Sequence, residues 1–494
     1  MKQFSFVLLF IFSFSVVAQK IELPLDTIVR TSHSVKIKGI DINYSTQTGT
    51  QPVWNEAGIP VASLFYTYYK RSDIKNTENR PLLISFNGGP GSASVWMHIA
   101  YTGPRILKID DEGFPVQPYG IKENPYSILD VADIVYVNPV NSGYSRLINK
   151  GKDSLDRKNF FGTNADIKYL AEWVNTFVTR NNRWLSPKYL IGESYGTNRV
   201  SGLALELQNS QWMYLNGVIL VSPTDLGIER DGPVEIANRL PYFAAAAWYH
   251  KKLSPALQNK DLDELLPEVE NFTINSLLPV LMKGGFIEED KKQEIASQMA
   301  IYSGISEKVI LENNLAVPFN YFWKELLRDQ GGYTIGRLDS RYLGIDSKIA
   351  GGSPDYNAEL TSWLHSFTPA INYYLREELK FKTDLKYNMF GPVHPWDRSE
   401  DNTGENLRQA MAQNPNLDVM IQSGFFDGAT TYFNAKYTMW QLDPSGKMKD
   451  RLNFKAYRSG HMMYLRSEDL KKANEDIRNF IEKSLPKEGD STKY

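Results

Sequence analysis

The chain is 494 residues long, with 42% hydrophobic and 23% charged side chains. That is the balance of a globular protein whose core is large enough to stand without staples. A formal net charge of −2 leaves no global field to draw in nucleic acid or an anionic membrane. The absence of cysteine excludes a thiol nucleophile, disulfides and thiolate metal sites.

Residues 1–18 read MKQFSFVLLFIFSFSVVA, with Lys2 as a short positive start, an apolar run from Phe4 to Val17 and a small residue, Ala18, at the end. The run is shorter than the roughly 20 residues that span a bilayer, so it is expected to be a cleaved export signal rather than an anchor. A periplasmic or secreted protein with no stable membrane insertion is therefore expected.

From Val35 to Tyr69, alternation of apolar and polar residues (Val35, Ile37, then Ile40, Ile42, Tyr44) predicts antiparallel strands. The texture changes at Pro81. Short apolar runs at Leu82–Phe86, Asp133–Val137, Tyr189–Ile191 and Gly217–Val221 alternate with helical spacing, as at Ile167, Leu170, Ala171, Val174 and Phe177. Strand, helix, strand in this rhythm predicts an α/β protein with a mostly parallel sheet. From about Ile228 to Pro369 the strand rhythm stops and five helical segments follow. It resumes at Leu417–Ile421. The predicted organisation is a core from 19 to 227, a helical cap insertion from 228 to 369, and the rest of the core from 370 to 494.

Gly192-Glu193-Ser194-Tyr195-Gly196 lies between a strand and helix-compatible sequence from Asn198 to Leu207. This is the setting of a nucleophile elbow, in which a strained turn lifts a serine above the sheet. A serine hydroxyl needs a base for its proton and a third group to orient that base. In an α/β-hydrolase the order is serine, acid, histidine. Of six histidines, His394 and His461 come late enough and outside the cap, and His461, after a strand-like run and before a helical C-terminus, is the better placed. Asp427 follows a strand and a glycine turn, with Asp225 as the alternative acid. Gly88 and Gly89, after the Leu82–Phe86 strand, and the Tyr195 N–H are the expected oxyanion donors. No metal motif or cofactor fingerprint is present, so neither is expected.

Five blocks in order resemble the serine carboxypeptidase family: Asn87-Gly-Gly-Pro-Gly-Ser-Ala-Ser94, Asn138-Pro-Val-Asn-Ser-Gly-Tyr-Ser145, Gly192–Gly196, Ser423-Gly-Phe-Phe-Asp427 and Gly460-His-Met462. The resemblance implies an α/β-hydrolase core with a helical insertion. It also implies removal of C-terminal residues from peptides with a free C-terminus through an acyl-enzyme, and a substrate-carboxylate grip formed by Asn87 and Glu193. An ionised glutamate repels a substrate carboxylate, so binding is expected to need a shared proton and to favour acidic pH. Departures are Ser85 for the family's tryptophan, Tyr101 for its second glutamate, Asn141 for glycine and Phe425 for aspartate. An esterase, acyltransferase or aminoacyl-ester hydrolase on the same scaffold is the alternative reading, and a non-catalytic binding protein a further one. Oligomeric state is not read from the sequence.

Overall fold

Alternate residues of the central strands bury opposite ways. Tyr189, Ile191, Ile219 and Val221 join one apolar cluster, while Leu190, Val218 and Leu220 join another. A strand buried on both faces is a near-continuous apolar run, as these are, and belongs in a parallel sheet covered on both sides.

The computed structural model describes residues 23–148 and 157–487, with 489, 491 and 493. The expected export signal lies outside them. No helix among the described residues is long and apolar enough to cross a membrane.

The sheet begins with three long antiparallel strands, β1 (Thr27–Ile37), β2 (Ile40–Trp54) and β3 (Pro60–Arg71). It continues through β4 (Leu82–Phe86), β5 (Asp133–Val137), β6 (Lys188–Glu193), β7 (Gly217–Val221), β8 (Asp418–Gly424) and β9 (Leu452–Tyr457). Spatial order is β1-β2-β3-β5-β4-β6-β7-β8-β9, and every pairing beyond β5 is parallel. Helices α1 (Thr163–Arg180), α2 (Gly196–Ser210), α3 (Thr403–Gln413) and α4 (Ser467–Ser484) flank it. This is the α/β-hydrolase architecture expected from the sequence.

Register puts the ends of the parallel strands on one rim: Phe86 pairs with Gly192, and Val221 pairs with both Glu193 and Gln422. In open α/β sheets ligands bind outside the carboxyl ends of the strands. The segments leaving β4, β6, β8 and β9 at that rim carry Asn87, Ser194, Asp427 and His461.

Between Pro233 and Tyr373 the chain is mainly helical, including Leu240–Tyr249, Leu262–Phe272, Glu289–Ser303 and Ala358–Tyr373. Several of these helices pack a third apolar cluster that also takes Phe425, Phe426, Tyr432 and Phe433 from the core. Two features differ from the sequence reading. A two-residue strand pair, Thr334–Ile335 with Leu343–Gly344, interrupts the helical stretch; strands this short carry no readable alternation. The expected boundary at 369 falls inside the helix Ala358–Tyr373, which runs on through Pro369.

Candidate active site

Ser194 has φ of +58°, a left-handed conformation that costs a non-glycine residue roughly 1–3 kcal/mol and persists only where the surroundings impose it. They do so here. Its N–H donates to Val221 O at 2.9 Å. A Cβ on Gly192 would lie 2.1 Å from Gly196 O, so the turn closes only with glycine at 192. The result is a serine at the head of α2, facing a cleft also lined by Gly88, Gly89, Tyr195 and His461.

His461 and Asp427 are both buried, and His461 Nδ1 lies 2.7 Å from Asp427 Oδ2. Thr430 donates its hydroxyl to the same oxygen at 2.6 Å, while Asp427 Oδ1 accepts from the N–H groups of Ala429 (2.8 Å) and Thr430 (3.1 Å). Three donors on a buried carboxylate hold it in place. Burial works against a proton on His461, but the charge and hydrogen bond of Asp427 outweigh it and hold the imidazole above its usual value; Glu193 acts in the same sense and Arg337 opposes. Asp225 lines the cleft too, yet its carboxylate accepts from Gly227 N–H at 3.2 Å and makes no bond to the ring. His394 is exposed, in the loop before α3.

Asn87 and Glu193 are buried side by side, with Asn87 Nδ2 donating to Glu193 Oε1 at 2.8 Å. Asn87 Oδ1 accepts from Met97 N–H at 3.2 Å, which fixes the amide's orientation. The second carboxylate oxygen accepts from the Tyr464 hydroxyl. Burial pushes Glu193 up to about 7, against the opposing pulls of His461, Tyr464 and Asn87. Tyr101 stacks on Tyr464 with ring centroids 4.5 Å apart and donates to Gln422 at 2.6 Å.

Gly88 admits no side chain, because a Cβ there would lie 2.4 Å from Tyr195 N. The loop that carries it is held from behind. Arg199, buried in the first turn of α2, donates to Asn87 O at 2.6 Å, to Gly88 O at 3.3 Å and to Pro90 O, and pairs with buried Asp166 at 2.5 Å. Sequence reading missed Arg199, Thr430 and Tyr464. The one hint for Arg199 is a lone charge among residues with core spacing, Val200, Leu203 and Ala204.

The loop between the two short strands also reaches the site. Leu338 O accepts from His461 N–H at 2.7 Å, Arg337 O from Gly428 N–H at 2.9 Å, and Phe426 O takes the Ser340 N–H at 3.0 Å. Arg341 donates to Ser459 Oγ at 2.9 Å. One strap thus braces both the acid loop and the histidine loop. Among the described residues no cluster of potential ligands fit for a metal ion occurs.

A family model described as serine carboxypeptidase matches residues 45–334. Serine carboxypeptidase-like 19 of Arabidopsis thaliana is 31% identical over 184 residues, 35% of this chain and 37% of that protein. Serine carboxypeptidase-like 16 of the same plant is 28% identical over 189 residues, 35% of this chain and 40% of that protein. The match thus spans less than half the length of these relatives. The crystal structure of Kex1(delta)p, a prohormone-processing carboxypeptidase from Saccharomyces cerevisiae, is similar at a TM-score of 0.52 and 13% identity, over 89% of this chain and 91% of that one, a likeness of fold.

Proposed function

The chain belongs to the serine carboxypeptidase family, and from that premise we propose that it removes C-terminal residues from peptides, with Ser194 as nucleophile, His461 as base and Asp427 as the acid that orients it. The observation that carries this reading is the 2.7 Å bond from His461 to Asp427 on the cleft that holds the left-handed Ser194.

In the proposed reaction, His461 Nε2 takes the Ser194 proton as Oγ attacks the scissile carbonyl. The oxyanion is met by the N–H groups of Tyr195 and of Gly88 or Gly89. The imidazolium then returns its proton to the departing amine, leaving an acyl-enzyme that water releases by the same route. The leaving residue's carboxylate sits at Asn87 and Glu193, where a proton on Glu193 turns repulsion into a hydrogen bond. Segment 228–369 serves as a cap over this cleft, and the N-terminal apolar run directs export to the periplasm or the exterior.

A fluorophosphonate probe tests the nucleophile. Stoichiometric labelling mapped to Ser194, abolished in Ser194→Ala and slowed in His461→Ala, is the expected outcome. Labelling that survives Ser194→Ala overturns the assignment.

A further inference from the structure

Three arginines line the catalytic cleft: Arg230, Arg337 and Arg398. Two of them have side-chain partners. Arg230 donates to Glu235 at 3.1 Å, and Arg398 lies over the Tyr195 ring, 5.5 Å from its centroid. Arg337 is different. It is exposed, and its guanidinium makes no hydrogen bond or ion pair among the described residues. Its acidic neighbours are engaged or masked. Asp339 is held by Arg341 at 2.6 Å. Glu359 is fully buried, accepts from Leu338 N–H at 2.9 Å, and is pushed by burial up to about 7, so it is largely uncharged at mildly acidic pH.

The position of Arg337 is set by its backbone, whose carbonyl accepts from Gly428 N–H one residue after Asp427. Its charge reaches His461, where it weakly opposes the rise that Asp427 imposes on the ring. A guanidinium so placed, with five donors and no internal partner, suits a planar carboxylate.

We propose that Arg337 selects substrates that carry an acidic side chain beside the scissile bond. This rests on the peptidase reading above and adds a substrate class to it. The C-terminal carboxylate has its own grip at Asn87 and Glu193, so the anion left for Arg337 is a glutamate or aspartate side chain of the peptide. Glu193, in the same cleft, does not cancel this charge while it holds the proton that binding requires.

The test compares peptides that differ only by Glu or Gln, placed last or next to last, at about pH 5.5 and low salt. The readout is the ratio of kcat/KM for the two within each variant, which partial misfolding does not alter. The expected result is a preference for Glu of about tenfold or more at one of the two positions. It should disappear in Arg337→Gln and reverse in favour of the Gln peptide in Arg337→Glu. Cleavage of Gln and Glu peptides at equal rates, or a preference that survives Arg337→Gln, overturns the inference and leaves the peptidase reading intact. If no peptide of either kind is cleaved while Ser194 still labels, both fall together.

Discussion

Glu193 decides the pH range of the proposed reaction because it has to be neutral to accept a second carboxylate. With burial raising it to about 7, kcat/KM for a free-acid peptide should fall as pH rises through that value, while an ester lacking the carboxylate should show no such limb. Tyr464 sharpens the test. Burial and the adjacent Glu193 push its phenol well above the usual value, so it stays a donor, and a donor to the ionised carboxylate favours that form. Tyr464→Phe removes the donor and should move the falling limb of the pH profile to higher pH. A limb that stays put, or moves down, would contradict this role. At the same scale, Tyr101 stands where the resembling family has a second glutamate. It supplies a stacked ring and no second acid, so the proposed grip carries one carboxylate rather than two.

At the scale of elements, α2 does two jobs. Its N-terminus follows the elbow, and its first turn sends Arg199 under the loop from Asn87 to Pro90 to hold three carbonyls. A planar fork makes these bonds together with the one to Asp166, and a lysine ammonium does not reproduce that geometry. Arg199→Lys keeps the buried charge pair and should therefore fold. The loosened loop should cost it about tenfold in kcat, with KM little changed, measured by steady-state kinetics beside a thermal melt. An unaltered kcat would show that the loop needs no such support.

Much of this is legible in the sequence. Strands such as β6 and β7 are apolar on both faces, so their runs stand out, and the elbow's two glycines mark a turn that tolerates little else. What stayed hidden was contact between segments distant in sequence. Arg199 reads as a solvated charge until Asp166 and the Asn87 loop are folded onto it. The strap from Gly336 to Arg341 has no periodicity at all, so its hold on His461 emerges only from backbone bonds across more than a hundred residues of sequence. The helix through Pro369 shows the opposite error, since a proline read as a boundary was carried inside an element.

For the whole molecule, the strap that joins the helical insertion to the histidine and acid loops rests on a buried acid. Glu359, at the start of the helix Ala358–Tyr373, holds the strap through Leu338 N–H. Burial raises its pKa from 4.5 to about 7, so the native chain keeps a proton that the unfolded chain releases. The stability tied to that proton is complete below the ordinary carboxyl range and drains away as pH rises through about 7. At roughly 1.4 kcal/mol per unit, the loss is at most about 3.5 kcal/mol. Glu359→Gln mimics the protonated form. It should match the parent in acid and unfold at a higher temperature than the parent near pH 8, and a variant less stable at both pH values would refute the linkage.

The fold and the cleft acquire meaning together only if a peptide's free end is what the site grips. Mass spectrometry of one peptide and its C-terminal amide, incubated with the enzyme at about pH 5.5, measures this directly. The expected result is a ladder of products shortened one residue at a time from the free acid, with the amide slower by about a hundredfold or more. Equal rates for the two, or internal cleavage without a ladder, would contradict the account.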